Sequence, residues 1–213
     1  MVFLPSRLDT HQESQPVADR AISPGARAII DLIDVVGTIH DVDHLQSVAF
    51  LAQEFGLLVA PTFLFGSRRG DDGQEPRRPH SLLLEGHFYA LLCEKVIDRD
   101  TTTGRLRPRR DLYAVPYSGL AGRRLGVLGA LSKRDVAVFA AAVLRLTHDG
   151  CHAGSNRRDA AFHAAVAQLA VLADATDEAE QPVDTAAIRA ARQRLMPAEP
   201  VLLMGGQLIA VGG

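Results

Sequence analysis

The sequence predicts a mainly α fold with a small β wing (α+β), followed by an Ala-rich helical extension. Apolar residues recur at helical spacing in several successive segments, and two short strand-like stretches lie between them. Aromatic residues make up only 5% of the 213 residues, and there is no Trp. The core must therefore be built mainly from Leu, Val, Ile and Ala, which favours closely packed helices.

Composition shifts divide the chain into five parts. The first is polar and aperiodic, with Pro5 and Pro16 as breakers, and the third is rich in glycine. The parts are a flexible leader (1–23), a winged-helix-like domain (24–118), a Gly-rich connector (119–131), a helical extension (132–196) and a C-terminal hairpin or tail (197–213).

The first two helices have clear boundary signals. Ser23 is a good N-cap with Pro24 at the first helical position, and Gly37 is suited to end that helix. A second helix opens at Thr38 or His40, and Gly56 follows its last apolar residue.

A predicted loop over 66–79 leads into a third helix, from His80 or Ser81 to about Val96. Two strands then follow, at 95–101 and 111–115, joined by a turn over 102–105. The residues predicted to form the inner face of the third helix are Leu83, Leu84, His87, Phe88, Leu91 and Leu92.

Ser132, Ser155 and Asp184 each precede a helical pattern in the C-terminal third, and the last helix runs to Leu195. The stretches 201–204 and 207–211 flank Gly205-Gly206, which is typical of a two-residue hairpin. A disordered apolar tail is the alternative for this segment.

The order helix, helix, strand, helix, strand, wing, strand over residues 24–116 is winged-helix order. Three segments within it carry a resemblance to a known family. They are residues 29–33, Leu45-Gln46-Ser47 with the residues up to Gly56, and Arg78-Pro79-His80-Ser81 with the residues up to Glu85. They resemble the small prokaryotic winged-helix proteins related to the Panacea-type antitoxins. In that family a Leu-Gln-Lys motif opens the second helix and a Gly-Pro-Tyr-Ser-like motif precedes the third.

This chain departs from both family motifs. Ser47 replaces the family's Lys, and Arg78-Pro79-His80-Ser81 replaces Gly-Pro-Tyr-Ser. The resemblance implies a winged-helix core and a regulatory role, because Panacea-type proteins act by engaging toxin proteins.

The string His40-Asp41-Val42-Asp43-His44 matches a metal-ligand signature of cyclic-nucleotide phosphodiesterases. A two-metal site needs further ligands that converge on one pocket. Upstream there is only His11, in the predicted leader, so the alternative is that these residues start a helix. His40, Asp41 and His44 are the metal candidates, and we expect no metal to be bound.

No nucleophile elbow, Walker A loop or dinucleotide-binding glycine motif is present in the sequence. We therefore expect a non-enzymatic protein without a cofactor. The chain has two cysteines, and Cys93 falls in an apolar run that predicts a buried, reduced thiol. The absence of a long apolar span or a signal peptide predicts a cytoplasmic protein without a membrane partner.

Basic residues are concentrated in the middle of the chain. Between 61 and 124 there are 12 Lys or Arg against 8 Asp or Glu, whereas the remainder holds 11 against 17. The wing and the loops beside it could track phosphates. The candidate nucleic-acid-binding residues are Arg105, Arg107, Arg109 and Arg110 in the wing, Arg123 and Arg124 after it, and Arg77 and Arg78 before the third helix.

Three functional hypotheses follow from the sequence. The first is a winged-helix regulator, either a DNA-associated factor or an antitoxin-like neutralising component. The second is a protein–protein adaptor or scaffold subunit of a larger prokaryotic complex, whose partner is another protein or a second copy. The third is a metal-dependent phosphohydrolase that uses the His-Asp-Val-Asp-His string.

Overall fold

The computed structural model describes residues 22–58, 63–68, 78–109, 120–148, 183–195, 201–204 and 207–210. These residues are mainly helical and include three small two-stranded antiparallel sheets. The helices are α1 (Pro24–Val36), α2 (Val42–Glu54), α3 (Leu82–Cys93), α4 (Leu120–Gly129), α5 (Lys133–His148) and α6 (Thr185–Leu195). The strands are β1 (Gly66–Arg68), β2 (Arg78–His80), β3 (Ile97–Arg99), β4 (Leu106–Pro108), β5 (Val201–Met204) and β6 (Gln207–Ala210).

The predicted mainly α fold with small β elements is thus confirmed at this level. Three predicted segments lie outside the described residues, namely the leader as far as residue 21, the strand at 111–115 and the helix opening at Ser155.

The predicted start and end of α1 are confirmed. The Ser23 hydroxyl oxygen accepts a hydrogen bond from the Ala26 N–H at 3.2 Å. Gly37 has a left-handed φ of 68°, and its N–H donates to the Ile33 carbonyl at 3.0 Å. Helix α2 begins slightly later than predicted, because Asp41 is its N-cap and accepts from the His44 N–H at 2.9 Å.

The predicted loop over 66–79 is partly a β-ribbon. Strands β1 and β2 pair antiparallel, with Gly66 opposite His80 and Arg68 opposite Arg78. All three residues of β1 are exposed, whereas β2 packs against α2 and α5 and buries Pro79. The loop prediction missed these strands because the contacts that fix β2 come from helices distant in sequence.

The strand that pairs with β3 was not predicted, and the partner expected for it, 111–115, lies outside the described residues. The hairpin closes at once after β3, because the Asp100 carboxylate accepts from the N–H groups of Thr102 and Thr103 at 2.9 and 2.8 Å. Gly104 then takes a φ of 68°. Strand β4 therefore starts at Leu106, and Asp98 lies opposite Arg107 in the register.

Most of the segment predicted as a Gly-rich connector forms helix α4. Its last residue, Gly129, lies so close to the end of α1 that a Cβ there would be 2.3 Å from the Val36 carbonyl oxygen. Glycine in this segment therefore permits close helix packing.

One hydrophobic core joins α1, α2 and α3 to the C-terminal helices. The predicted caps of α5 and α6 are confirmed. The Ser132 hydroxyl accepts from the Asp135 N–H at 3.0 Å, and the Asp184 carboxylate accepts from the Ala187 N–H at 2.9 Å. Asp135 also accepts from the Asp184 N–H at 3.1 Å, which links the starts of the two helices.

Strands β5 and β6 form the predicted C-terminal hairpin, with Met204 opposite Gln207 across the two glycines. This supports the hairpin over the disordered tail. In the described part of the chain, no helix combines the length and apolar character needed to cross a membrane.

Candidate protein-binding surface

Helix α3 carries an uncharged stripe on its outer side. Plotted at 100° per residue, its six exposed positions fall within an arc of about 120°. Leu82, Leu83 and Tyr89 are 77%, 54% and 50% exposed. We call these six residues the outer stripe: Leu82, Leu83, Gly86, Tyr89, Ala90 and Cys93.

The opposite side of α3 faces the core through Leu84, Phe88 and Leu91, and His87 is half-buried. The predicted inner face was thus right for these three core residues and wrong for Leu83. The prediction of a buried Cys93 thiol was also wrong, since this residue is exposed as a free cysteine. The helix was assigned a single apolar face, although it is apolar on both sides.

Leu64 extends the outer stripe onto the adjoining chain segment. It is 86% exposed, whereas Phe63 is buried and Phe65 half-buried, so the side chains alternate inward and outward. Leu64 precedes β1 by two residues and Leu82 follows β2 by two residues, so both lie at the end of the β1–β2 ribbon where Gly66 pairs with His80. The described large hydrophobic side chains that are at least half exposed are these: Leu64, Leu82, Leu83 and Tyr89.

Two glutamines of α2 hold this surface in place by pairing with the main chain. The Gln46 side chain donates to the Ser81 carbonyl at 3.0 Å and accepts from the Ser81 N–H at 2.9 Å. Two helical turns later, Gln53 donates to the Phe63 carbonyl at 3.1 Å and accepts from the Phe63 N–H at 2.8 Å. The residues next to Leu64 and Leu82 are therefore each anchored through both main-chain groups.

These contacts bring together two segments that are distant in the sequence, since Gln46 lies in α2 and Ser81 immediately precedes α3. Ser81 is itself the N-cap of α3, with its hydroxyl 3.5 Å from the Leu84 N–H. Gln46 and Ser81 are both buried. The glutamine therefore fixes the starting point of α3 as well as the path of the chain before it.

The β3–β4 hairpin brings three of the predicted wing arginines together. Arg105 is exposed at the end of the turn, Arg107 lies on β4, and Arg109 follows it. The Arg107 guanidinium forms an ion pair with the Asp100 carboxylate at 2.9 Å. Hydrogen bonds from the Thr103 and Thr102 N–H groups and the nearby Arg107 charge lower the pKa of Asp100, which therefore remains charged. Part of the hairpin's positive charge is thus compensated.

The other candidate arginines are divided among different elements. Arg78 is half-buried on β2, while Arg123 and Arg124 lie on α4 rather than after a wing strand. Arg77 and Arg110 lie outside the described residues. The described candidates therefore lie on three separate elements.

The residues of the candidate metal string serve the start of α2. Asp41 is the N-cap and forms an ion pair with Lys133 of α5. Burial acts to raise its pKa, but hydrogen bonds from Lys133 and from the His44 N–H lower it overall. The His40 and His44 rings stack at a centroid distance of 6.0 Å. Among the described residues, no three His, Cys, Asp or Glu side chains are grouped to hold a metal ion.

His44 is the most unusual polar side chain in this part of the structure. It is buried, and neither ring nitrogen has a hydrogen-bond partner among the described residues. Burial lowers its pKa to about 4, with the Asp41 charge opposing this effect. The imidazole is therefore neutral at pH 7.

The outer stripe was not identified as a candidate site from the sequence, although a signal was present. Among the 12 residues of α3, Glu85 is the one Asp, Glu, Lys or Arg. A helix with one buried face usually has charged residues on the other. The lack of charge around α3 indicates that its second face is also suited to an apolar environment.

The chain matches no protein-family model, no curated protein and no solved structure.

Proposed function

We propose that this protein is a non-enzymatic protein-binding module that engages another protein through the outer stripe of α3 and Leu64. Its role is regulatory, as the neutralising component or adaptor subunit of a complex. The resemblance to Panacea-type antitoxins implies a role of the same kind. The fold we propose for residues 24–109 is a winged-helix-like core.

The arrangement of the hairpin supports the proposed core. It follows α3, and the Leu106 N–H donates to the Ile39 carbonyl at 2.7 Å. Ile39 lies between α1 and α2, where a winged helix has its first strand. This bond ties the hairpin to the trihelical unit and holds it beside α1, against which β4 packs.

The observation that carries the functional proposal is the clustering of the exposed hydrophobic residues. Single exposed apolar side chains are ordinary, but a contiguous patch usually marks an interaction surface. Here three of the four large exposed side chains share one side of α3, and Leu64 lies at the same end of the β1–β2 ribbon as Leu82. Gln46 and Gln53 anchor the backbone beside them. Aromatic and apolar residues of this kind form the centre of protein–protein interfaces.

The same surface is poorly suited to reading DNA. In a winged helix the third helix enters the major groove, where Arg, Lys, Asn and Gln recognise base edges. The outer stripe contains none of these residue types. A partner protein with an apolar groove is a better match.

DNA association is the second candidate function, and the β3–β4 hairpin is the observation that favours it. Arg105, Arg107 and Arg109 alternate along β4 and its ends, on a hairpin of the kind that contacts phosphates. Such contacts would position the protein on DNA without determining its sequence preference.

The two candidate functions can be separated with matched variants. Leu82→Asp places a carboxylate in the first turn of α3, where the helix dipole favours it, so the fold is retained. Ala186→Asp is the control, because it adds the same charge to an exposed position in the first turn of α6. The wing variant replaces Arg105, Arg107, Arg109 and Arg110 with Ala.

Each variant is co-expressed with the products of the neighbouring genes and assayed for co-purification and for DNA binding by gel shift. We expect the partner to be lost with Leu82→Asp and retained with Ala186→Asp and with the wing variant. The proposal fails if Leu82→Asp retains every partner. If DNA binding is instead the function, the wing variant loses affinity for all sequences alike, and each lost contact lowers the salt slope by about 0.9.

A further inference from the structure

We infer that the apolar groove of the partner is lined by an α-helix, and that this helix crosses the outer stripe at Gly86, in contact with the α3 backbone. This inference rests on the proposed function and specifies the structure of the partner. It comes from the positions of the small and large residues within the stripe.

Gly86 is an open position in the middle of α3. It is exposed, and no described atom outside its own helix lies within 4 Å of the place where a Cβ would be. Its φ is not in the left-handed region, so the backbone conformation does not require glycine. Glycine destabilises a helix relative to alanine, and the described chain makes no use of the space above it.

Another helix of the chain shows what a glycine on a helix surface allows. At Gly129 of α4, the Val36 carbonyl of α1 occupies the space that a Cβ would need. The distance between two packed helices is set by the side chains at their crossing, so glycine gives the closest approach. Gly86 offers the same close approach to a helix from outside the chain.

Small residues follow the middle of the outer stripe, and larger ones border it. At 100° per residue, Cys93 lies about 20° to one side of Gly86 and Ala90 about 40° to the other. Tyr89 and Leu83 lie about 60° from Gly86 on opposite sides, and both are at least half exposed. The stripe is therefore a shallow channel with large side chains at its edges, into which a ridge of side chains on a crossing helix fits.

The six residues of the outer stripe are uncharged, and the charges carried by α3 and its ends lie at the edges. Glu85 lies beyond Tyr89, is half-buried, and has its Oε2 3.5 Å from His80 Nε2. Glu94 caps the end of α3, and the opposite charge of Lys95 follows it. A helix in the channel meets no charge along its path, so its contacting face is apolar, because burying an unpaired charge is costly.

The dimensions of the outer stripe suit one helix. The 12 residues of α3 give a length of about 18 Å, and an arc of about 120° on a helix about 11 Å across is about 11 Å wide. The resulting area of about 200 Å² is well below the area of about 800 Å² that each partner buries in a standard interface. The stripe alone is too small to hold two rigid copies together, whereas a helix of about three turns covers its length.

The test uses the full-length chain in its native host, with p-benzoylphenylalanine in place of Leu82 or, in a second chain, of Tyr89. Irradiation joins this group covalently to whatever lies over the outer stripe, and mass spectrometry locates the attachment sites. We expect them on one segment of a partner protein, at spacings of three, four or seven residues, as on one side of a helix. The same group at Thr101, exposed on the hairpin turn, is the placement control.

Four glycine variants are made in the Tyr89-substituted chain. Gly86→Ala and Gly86→Leu place a side chain in the channel, and Gly126→Ala and Gly126→Leu are the controls. Gly126 is likewise an exposed helical glycine with no described atom within 4 Å of a Cβ position. We expect crosslinking to fall at least about threefold with Gly86→Ala and at least about tenfold with Gly86→Leu, because the side chain holds the crossing helix away. Both Gly126 variants should crosslink like the parent.

Melting temperatures of the same substitutions in the unmodified chain show that the loss is not unfolding. Gly86→Ala and Gly126→Ala should each melt about 1–4 °C above the parent, since alanine favours a helix. A Gly86→Ala variant that melts below Gly126→Ala would show that the chain itself covers Gly86, and the inference would then be wrong.

The inference is also overturned if Gly86→Leu crosslinks as well as the parent, or if the attachment sites fall on every second residue, as on a strand. A product that contains a second copy of this chain or nucleic acid overturns it too. Leu82→Asp in the Tyr89-substituted chain distinguishes the two levels of the argument. If it abolishes crosslinking while Gly86→Leu does not, only the crossing helix is wrong; if it has no effect, the proposed function is wrong as well.

Discussion

Gly126 and Gly129 lie three residues apart on α4, but their surroundings differ. A Cβ on Gly129 would lie 2.3 Å from the Val36 carbonyl oxygen, and Gly126 has no atom within 4 Å of the same position. The backbone of α1 cannot yield as a flexible side chain could. Substitutions at the two positions therefore distinguish the effect of close helix packing from the intrinsic effect of glycine on helix stability.

We predict opposite effects of alanine at these two positions. Gly129→Ala should lower the free energy of unfolding by about 1–3 kcal/mol, because α4 must move away from α1. Gly126→Ala should raise it by about 0.5–1 kcal/mol, because alanine favours the helix. Urea denaturation of both variants measures the difference. Equal effects would show that α4 does not approach α1 as closely as described.

His44 predicts a specific dependence of stability on pH. Its pKa is about 4 in the folded chain and about 6.5 when unfolded. Below pH 6.5 the unfolded chain binds a proton that the folded chain does not, so stability is lost as the pH falls towards 4. The pKa of Asp41 is lowered in the folded chain, so the stability that its charged carboxylate contributes is lost at still lower pH.

We expect the free energy of unfolding to fall by about 2 kcal/mol between pH 7 and pH 5 on account of His44. His44→Phe should remove that part of the pH dependence. Because the imidazole has no hydrogen-bond partner in the described structure, the substitution should cost little at pH 7. Parallel urea titrations at the two pH values provide the measurement, and an identical pH dependence in the variant would contradict this account.

Among the elements, α2 organises the surface that we propose binds a partner. Gln46 and Gln53 are seven residues apart, and each forms two hydrogen bonds to the main chain of a segment outside the helix. Through them, one helix sets the position of Leu64 and the start of α3. The two glutamines differ in that Gln46 is buried and Gln53 half-buried.

We predict that Gln46→Ala lowers the free energy of unfolding by roughly 1–3 kcal/mol, since it leaves the buried Ser81 N–H unpaired, whereas the Ser81 carbonyl keeps its bond from the Glu85 N–H. Gln53→Ala should be destabilising by a similar amount, because Phe63 is buried and its N–H and carbonyl both lose their Gln53 partner. Gln193→Ala, at an exposed position on α6, is the control. Chemical denaturation of the three variants tests this prediction, and a Gln46→Ala variant as stable as the control would refute it.

At the scale of the molecule, the sequence predicted what depends on neighbouring residues and missed what depends on distant ones. The caps at Ser23, Ser132 and Asp184 were predicted correctly because each involves a residue three positions away. The path of the chain before α3 was not predicted correctly, because the contact that fixes it joins Gln46 to Ser81, which are 35 residues apart. The position of β4 was missed because an Asp100 turn ends the loop earlier than its composition indicates.

In the candidate site, too, local features were predicted and features that depend on distant residues were not. The periodicity of α3 correctly predicted Leu84, Phe88 and Leu91 in the core, but it could not show that the opposite side is uncovered. That side is recognisable only once α3 is packed against α1 and α2 and once the β1–β2 ribbon has brought Leu64 and Leu82 to the same end. The positions of the predicted arginines on β2, on the hairpin and on α4, and the ion pair of Arg107 with Asp100, required the structure.

The central claim is that the outer stripe of α3 with Leu64 binds a protein. Its most direct test is the dissociation constant of the co-purified partner for the parent chain, for Leu82→Asp and for Ala186→Asp, measured beside their melting temperatures. We predict that Leu82→Asp weakens binding at least about tenfold, or about 1.4 kcal/mol, while both variants melt within a few degrees of the parent. A Leu82→Asp dissociation constant equal to that of the parent and of Ala186→Asp would contradict the claim.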